Sequence, residues 1–216
     1  MSIPVQVIVG IVIVAVCSYL LGSVSWSVII SKLFYHKDVR DFGSGNAGMT
    51  NILRTFGKKA AVAVTIGDFA KSIITVSLSR MVFEHFFGSL WFDVGYIAGI
   101  FTILGHLFPL YFHFKGGKGV LTALGMVLVI NWRVFVIILV IVIPILIFVK
   151  IVSVASLIGA VLYPIVTYFV LSFSGKPVFM DVACSFIIGL IVIYMHRVNI
   201  KRLINGTEFR FGKTKE

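Results

Sequence analysis

Phe42-Gly-Ser-Gly-Asn-Ala-Gly-Met-Thr-Asn-Ile-Leu-Arg54 is a short polar stretch in an apolar chain, and the rest of the sequence is organised around it. Its glycines allow the backbone to adopt positive φ and to turn several N–H groups toward one point. Its polar side chains add donors beside those amides: Ser44, Asn46, Thr50, Asn51 and Arg54. Convergent amides beside a guanidinium match three equivalent oxygens, so the stretch predicts a site for phosphate or a phosphate ester. An ordinary glycine-rich connection between helices is the alternative.

The composition around this stretch is that of an integral membrane protein. Apolar residues make up 59% of the 216 residues and charged residues 12%, with a mean hydropathy of +1.09, whereas soluble domains have about 45–50% and 25%. The net charge of +11 does not predict nucleic-acid binding, because the charges lie in short connections between apolar runs, as membrane topology requires. Cys17 and Cys184 lie inside apolar runs, so we expect no disulfide.

Six apolar runs have about the length of a bilayer span, roughly 20 residues or more. They are Ile3–Phe34, Ala60–Phe87, Trp91–Phe112, Gly119–Val149, Ser153–Leu171 and Val178–Met195. The run from Gly119 is interrupted by Asn131-Trp132-Arg133, so it is either one long helix or two short ones. The first run has no basic segment before it and exceeds the core of a signal peptide, about 7–15 residues, so we expect it to be retained.

The positions of Lys and Arg decide between six and seven spans, because cytoplasmic loops carry an excess of both. With seven spans, fifteen of them lie on one side: Lys32, Lys37, Arg40, Arg54, Lys58, Lys59, Lys115, Lys118, Lys150, Arg197, Lys201, Arg202, Arg210, Lys213 and Lys215. The other side receives three: Arg80, Arg133 and Lys176. Six spans remove this asymmetry. The sequence therefore predicts an all-α integral membrane protein with seven transmembrane helices, the N-terminus outside, the C-terminus cytoplasmic and short helices after Gly119. Without repeats or long linkers, we expect a single domain over residues 1–216.

A second polar stretch, His113-Phe-Lys115-Gly-Gly-Lys118-Gly119, lies on the same predicted side as the first. The amides of Gly116 and Gly117 precede a predicted helix, whose N-terminus favours negative charge, and the two lysines add full positive charges. A basic loop that only anchors the topology is the alternative for both lysines, and Lys118 fits it less well because it opens the helix.

A third cluster closes the last span, where His196, Asn199 and Arg202 fall on adjacent turns of one helical face. Ser153 and Ser156 begin the sixth span, and either hydroxyl could reach the same site or bond its own helix. Inside the second span, Asp68 and Lys71 are three positions apart, and because an isolated charge is costly in the membrane we expect them to pair in a structural role.

Several motifs in the chain match known sites only by chance. Gly43-x-Gly45-x-x-Gly48 fits the dinucleotide fingerprint, but a transmembrane helix rather than a strand precedes it. No metal-ligand spacing is present, so we predict neither a metal nor a cofactor. His36-x4-Asp41 has the spacing of a His/Asp base used by some glycerolipid acyltransferases, which leaves a thioester-dependent acyltransferase as one alternative.

Taken together, these stretches resemble the PlsY family, the bacterial membrane-integral acyl-phosphate:glycerol-3-phosphate acyltransferases. The resemblance spans nearly the whole chain and rests on these motifs: Asp38-x-Arg40, Gly43-Ser-Gly-Asn-x-Gly-x-Thr-Asn-x-x-Arg54, Asp68-x-x-Lys71, Gly105-His-x-x-Pro109, Phe114-Lys-Gly-Gly-Lys-Gly119 and His196-Arg-x-Asn-Ile-x-Arg202. Met49 and Leu121 replace alanines expected in the family, and neither change removes a polar group.

The resemblance implies seven transmembrane helices in the bacterial plasma membrane, with the active site at the cytoplasmic face. It implies transfer of a fatty acyl group from acyl phosphate to the 1-hydroxyl of glycerol 3-phosphate, giving lysophosphatidic acid and inorganic phosphate. The implied partners are these two substrates and membrane lipid, without nucleic acid or an obligate protein partner. The implied catalytic residues are Ser44, Arg54, Lys118, Ser156, His196 and Asn199. Around them, we expect substrate or phosphate binding by Gly45, Asn46, Thr50, Asn51, Lys115, Gly116 and Gly117.

An acyl phosphate is a mixed anhydride with a good leaving group, so we expect direct transfer without an acyl-enzyme. In this hypothesis positioning and charge neutralisation supply most of the rate, and the donor phosphate takes the hydroxyl proton. The main alternative is a transporter for a phosphorylated metabolite, with the same residues between half-helices. Transport needs access from both faces, whereas the polar groups crowd one predicted side.

Overall fold

The computed structural model describes residues 4–173 and 178–211, and these residues form ten α-helices joined by short connections. The helices are α1 (Val5–Gly22), α2 (Trp26–Tyr35), α3 (Met49–Phe56), α4 (Lys58–Phe87), α5 (Val94–Leu107), α6 (Val120–Ile130), α7 (Trp132–Val149), α8 (Val152–Ser172), α9 (Phe179–Met195) and α10 (Arg197–Ile204). Two 3-10 helices, Val39–Asp41 and Leu110–Phe112, lie in the connections. No strand occurs in this part of the chain, which confirms the all-α prediction.

Five helical segments of the described residues are long and apolar enough to cross a membrane. They are Val5–Tyr35, which joins α1 and α2, and then Lys58–Phe87, Val94–Phe112, Trp132–Val149 and Val152–Ser172. The pair α9 and α10, bent by 58°, makes a sixth if it counts as one span, and α6 is a shorter apolar helix. Lys176, Lys213 and Lys215, which we used to predict the topology, lie outside the described residues.

The interruption predicted at Asn131 is present and has a clear local cause. The Asn131 side chain accepts hydrogen bonds from the amides of Arg133 and Val134, at 3.1 and 3.3 Å, and so caps the N-terminus of α7. An N-cap residue has a non-helical backbone and satisfies amides that have no partner inside the helix. The apolar run from Gly119 therefore forms two helices, α6 and α7.

The helices group into two compact units, residues 1–130 and 131–216. Whether the chain folds as a single domain stays a prediction. In the first unit, glycines allow α5 to approach α1 closely. A β-carbon at Gly22 would collide with the carbonyl of Thr102, and one at Gly105 would collide with the carbonyl of Tyr19. Such close contacts at small residues are typical of helix packing in membranes.

In the second unit, α8 packs against both α7 and α9. Gly189 of α9 lies against Ala160 of α8, where an added β-carbon would come within 2.6 Å of the Ala160 carbonyl oxygen. After α10 the chain returns to the start of α8, and the amide of Phe211 donates to the carbonyl of Lys150 at 2.9 Å. This backbone hydrogen bond joins the segment after α10 to the start of α8.

Candidate active site

The first glycine loop, residues 42–48, follows the 3-10 helix Val39–Asp41 and leads into α3. Gly43 and Gly45 adopt φ angles of 60° and 72°, in the left-handed region that favours glycine. The buried side chain of Asn51, 2% exposed, lies underneath the loop. Its Oδ1 accepts from the amide of Ser44 at 2.9 Å, and its Nδ2 lies 3.0–3.1 Å from the carbonyls of Val39, Phe42 and Asn46.

Asn51 was predicted to bind substrate, but in this structure its amide group bonds to the loop itself. A primary amide has two N–H donors and one acceptor oxygen, and all of them face main-chain groups of residues 39–46. Asn51 therefore shapes the loop that presents Ser44. The sequence contained the residue but not the direction of its side chain.

The other predicted residues of the first loop and α3 lie closer to the surface. Ser44, Asn46 and Thr50 are half-buried, and Gly45 is exposed. Arg54 is exposed in the last turn of α3. These positions leave them accessible to a ligand.

The second glycine loop, residues 113–119, connects the end of α5 with α6. Its amides of Gly116 and Gly117 donate to the carbonyls of Leu107 and His106, each at 3.1 Å. The last carbonyls of a helix have no partner inside the helix, so they are available to these amides. The two amides were predicted to hold phosphate; in this structure each donates to a carbonyl of α5, and contact with phosphate stays a prediction.

Glycine is required in this loop because two backbones touch. A β-carbon at Gly116 would collide with the carbonyl of His106, and one at Gly117 would collide with the imidazole of His106. Lys118 follows directly and is half-buried, whereas Lys115 is exposed. The loop thus lies flat on the end of α5 and places Lys118 at the start of α6.

Hydrogen bonds join the two glycine loops. The carbonyl of Gly116 accepts from the amide of Ala47 and from Nδ2 of Asn46, both at 3.4 Å. Nη1 of Arg40, beside the first loop, donates to the carbonyl of Phe112 at 2.6 Å, next to the second loop. The segments that carry Ser44 and Lys118 therefore form one connected structure.

Arg40 is held in place by Asp38 through a bidentate pair. Its Nε and Nη2 donate to the two carboxylate oxygens at 2.9 and 2.7 Å, and Lys32 lies 3.3 Å from the same carboxylate. The Arg40 guanidinium holds the pKa of the Asp38 carboxyl well below its usual range, and Asp38 raises the pKa of Arg40. This explains the Asp38-x-Arg40 motif as a clamp on the loops.

The pairing predicted for Asp68 and Lys71 is confirmed, with Lys71 Nζ 3.2 Å from Asp68 Oδ1. Lys71 also donates to the carbonyls of Gly22 and Val24, at the break between α1 and α2. His106 completes the cluster, with Nδ1 3.0 Å from Lys71 Nζ. Sequence reasoning assigned no role to His106, although a histidine inside an apolar span was a signal.

The second unit contains the remaining predicted residues around the bend between α9 and α10. His196 lies at this bend and is 2% exposed, with Nδ1 2.8 Å from the carbonyl of Val192. Because a carbonyl only accepts, Nδ1 carries a proton and donates this hydrogen bond. Asn199 donates to Glu208 Oε1 at 2.8 Å. Sequence reasoning missed Glu208, because only folding brings it back to α10.

Ser153 and Ser156 are both buried at the start of α8. Ser156 Oγ donates to the carbonyl of Val152 at 2.9 Å. This is the hydrogen bond to its own helix that the sequence allowed as an alternative. Ser153 Oγ is buried and has no hydrogen-bond partner within the described part of the chain. Among the same residues, no group of three His, Cys, Asp or Glu side chains could hold a metal ion.

An apolar groove of about 520 Å³ runs between α8 and α9. Ala160 at one end lies one helical turn beyond Ser156, and Ile193 lies one turn before His196. The groove therefore starts beside two of the predicted catalytic residues.

Comparison with known proteins gives a consistent result. A family model described as glycerol-3-phosphate acyltransferase matches residues 12–206. A protein of Clostridioides difficile (strain 630) named glycerol-3-phosphate acyltransferase is 40% identical over 205 residues, covering 95% of this chain and 97% of the relative. One of the same name from Macrococcus caseolyticus (strain JCSC5402) is 39% identical over 191 residues, covering 88% and 92%.

Two solved structures match the fold. The crystal structure of PlsY (YgiH), an integral membrane glycerol 3-phosphate acyltransferase in its glycerol 3-phosphate form, has a TM-score of 0.80 and 37% identity. It covers 94% of this chain and 96% of that one. The lysophosphatidic acid form of PlsY gives a TM-score of 0.78 at 36% identity and covers 94% and 95%.

Proposed function

This chain belongs to the glycerol-3-phosphate acyltransferase family and is an acyltransferase, and from that premise we propose the donor, the residues and the course of its reaction. The donor is a fatty acyl phosphate, and the acceptor is the 1-hydroxyl of sn-glycerol 3-phosphate. The products are 1-acylglycerol 3-phosphate, a lysophosphatidic acid, and inorganic phosphate. This is the first acylation of phospholipid synthesis.

The observation that carries the proposal is the joining of the two glycine loops through the Gly116 carbonyl. It makes one polar structure from the segments that carry Ser44, Arg54 and Lys118. In our proposal Arg54 and Lys118 neutralise substrate phosphate, since a cation beside an anion is most effective where water is partly excluded. Gly45, Asn46, Thr50 and Lys115 contribute further contacts. Asn51, Gly116 and Gly117 support the loops from beneath.

The proposed chemical step is a direct displacement. The 1-hydroxyl oxygen forms a bond to the acyl carbon, the bond from that carbon to the phosphate oxygen breaks, and the departing phosphate takes the hydroxyl proton. His196 and Asn199 orient glycerol 3-phosphate, and the hydrogen bond from His196 Nδ1 to the Val192 carbonyl fixes the ring for this role. Ser44 and Ser156 bind substrate and form no covalent intermediate.

The acyl chain lies, in this proposal, along the groove between α8 and α9. The groove is lined by apolar side chains, and it begins one turn from Ser156 and His196, where the reacting carbonyl would be held. An apolar groove of this kind is what the fatty tail of an acyl phosphate requires.

The seven-span topology also belongs to the proposal. Five spans and the bent α9–α10 pair leave α6 as the seventh, and its 11 residues extend only about 16 Å, roughly half of the hydrocarbon thickness. It would cross where protein surrounds it or where the bilayer is thinned. The excess of basic residues places both glycine loops and the C-terminus on the cytoplasmic face of the bacterial plasma membrane.

A donor comparison tests the proposed reaction. Purified protein in detergent is supplied in parallel with palmitoyl phosphate, palmitoyl-CoA and palmitoyl-acyl carrier protein, each with and without glycerol 3-phosphate. We expect 1-acylglycerol 3-phosphate only from palmitoyl phosphate, and only when the acceptor is present. Product from either thioester, lost in His36→Ala, would instead support the thioester-dependent alternative.

Rapid quenching tests the direct displacement. Intact-protein mass spectrometry after mixing with palmitoyl phosphate alone should show unmodified protein. An added palmitoyl group on Ser44 or Ser156 would replace the direct mechanism with a covalent one. Vesicle uptake of glycerol 3-phosphate without any turnover would support the transporter.

A further inference from the structure

Asp68, Lys71 and His106 form a buried polar cluster that the proposed reaction does not use. Their exposed fractions are 1%, 8% and 5%. Lys71 Nζ lies between Asp68 Oδ1 at 3.2 Å and His106 Nδ1 at 3.0 Å, and Asp68 Oδ1 lies 3.5 Å from the same His106 nitrogen. Burying three such groups is costly unless each has a partner. The cost indicates that the cluster has a structural or functional role.

The hydrogen bonds of Lys71 favour His106 Nδ1 as an acceptor. An ammonium group has three N–H donors. The carbonyls of Gly22 and Val24 accept two of them, at 3.0 and 2.9 Å, and His106 Nδ1 is placed to accept the third. His106 is then neutral with its proton on Nε2, while Asp68 balances the Lys71 charge. A second proton on His106 would face the ammonium directly.

The protonated side of His106 faces the second glycine loop. Nε2 lies against Gly117, where an added β-carbon would collide with it, and the main-chain carbonyl of His106 accepts from the Gly117 amide at 3.1 Å. The next residue is Lys118. A change in the tilt of the imidazole would therefore move the backbone that sets the position of Lys118.

The imidazole itself is fixed from its other side. Lys71 connects Nδ1 to the break between α1 and α2, and Gly105 of α5 packs closely against the Tyr19 carbonyl of α1. The cluster therefore forms a floor beneath the second loop. Through the Gly116 carbonyl the same floor reaches Ala47 of the first loop.

We propose that His106, held as a neutral acceptor by Lys71, is a positioning residue that sets the second glycine loop for binding glycerol 3-phosphate. This rests on the proposed function. Glycerol 3-phosphate has no tail and is held by polar contacts alone, so a displaced second loop raises its KM directly. Acyl phosphate has apolar contacts as well, and its KM responds less.

A pair of amide variants isolates the acceptor at Nδ1. In His106→Asn the side-chain oxygen can occupy the position of Nδ1 and accept from Lys71. In His106→Gln the amide reaches the position of Nε2 and leaves Lys71 without its third acceptor. Both variants are polar, uncharged and close in size, so a general loss of packing affects them alike.

His106→Asn keeps the acceptor for Lys71 but loses the contact of Nε2 with Gly117, so we expect it to raise the KM for glycerol 3-phosphate clearly less than His106→Gln does. We expect His106→Gln to raise that KM about tenfold or more, the scale of a weakened hydrogen bond to a charged group, with a smaller change in kcat and in the KM for acyl phosphate. Thermal unfolding in detergent checks that both are folded. Should His106→Gln not fold, Lys71→Gln replaces it and carries the same expectation.

Equal kinetics for the two His106 variants, or a fall in kcat at unchanged KM, would overturn the positioning role while leaving the acyltransferase reaction intact. The proposed function fails separately, if the wild-type protein makes no 1-acylglycerol 3-phosphate from acyl phosphate. The two failures are thus distinguished by the wild-type control in the same assay.

Discussion

In the first glycine loop one buried side chain, Asn51, bonds to three carbonyls and one amide, whereas in the second loop the backbone bonds directly to the end of α5. The first loop is shaped by a side chain that is present. The second loop depends on glycine at positions 116 and 117, because any side chain there would collide with His106. Two loops of similar composition therefore fail in different ways: one when a side chain is shortened, the other when a side chain is added.

The largest effect is expected from Asn51→Ala, which removes all four hydrogen bonds at once. The carbonyls of Val39 and Phe42 keep the amides of Phe42 and Gly45 as partners, whereas the Ser44 amide and the Asn46 carbonyl lose the bond to Asn51. A buried polar group without a partner costs about 1–3 kcal/mol, so we expect a marked fall in Tm and loss of measurable acyl transfer. Asn46→Ala is the matched control, because its side chain makes a single hydrogen bond of 3.4 Å. Equal Tm values for the two variants would contradict the role of Asn51.

A smaller but still severe effect is expected from Gly117→Ala. The new methyl group would collide with the His106 imidazole and lie 2.9 Å from the Ala47 carbonyl, and overpacking of this kind costs about 1–3 kcal/mol. We expect the KM for glycerol 3-phosphate to rise at least tenfold, since 1.4 kcal/mol is a factor of ten in an equilibrium constant.

Gly159→Ala in α8 is the control for this added methyl group. Its β-carbon would meet only Val142 and Ile138 side chains, at 3.5 and 3.8 Å, and alanine is preferred over glycine inside helices by about 1 kcal/mol. We expect unchanged kinetics and an equal or higher Tm. Wild-type kinetics in Gly117→Ala would show that the second loop does not need its backbone contact.

Removing one positive charge from either glycine-loop region should lower turnover by a similar factor. We expect Arg54→Ala and Lys118→Ala each to lower turnover by roughly tenfold or more, the scale of one lost charged contact in the transition state. Lys59→Ala, an exposed lysine at the start of α4, should leave turnover unchanged. A near-wild-type rate in either test variant removes that residue from the site.

The smallest effect is on Tm, is due to the Asp38–Arg40 ion pair, and depends on pH. Because Arg40 lowers the pKa of Asp38, the folded protein holds the Asp38 proton more weakly than the unfolded chain does. The resulting stability is complete above the unfolded carboxyl pKa of about 3.9 and is lost as pH falls toward the lowered folded value. We expect Asp38→Asn to lower Tm at neutral pH and to flatten its decline below about pH 4.

Asp41→Asn, at an exposed carboxylate three residues away, controls for the loss of one negative charge. It should keep the wild-type dependence of Tm on pH. If Asp38→Asn and the wild type lose Tm in parallel as the pH falls, then the clamp contributes nothing through ionisation.

The sequence predicted the elements better than the directions of their side chains. The helices, the break at Asn131 and the pairing of Asp68 with Lys71 follow from hydropathy, capping and the cost of isolated charge. The hydrogen bonds from the Gly116 and Gly117 amides to α5 could not be read from the sequence, which does not reveal that α5 ends beneath them. Glu208 was missed because it reaches its partner Asn199 only through the turn after α10, and His106 because its partner Lys71 is distant in the chain.

The central prediction is that each of three polar segments, the two glycine loops and the α9–α10 bend, lies on the cytoplasmic side of the membrane. Single-cysteine accessibility in intact and permeabilised cells tests this most directly, after Cys17 and Cys184 are replaced. Exposed reporters Asp41→Cys, Lys115→Cys and Asn205→Cys represent the three segments, and Trp91→Cys represents the opposite side. We predict that the first three react with an impermeant maleimide only after permeabilisation and Trp91→Cys reacts before it. Labelling of any one of the first three in intact cells would contradict the claim.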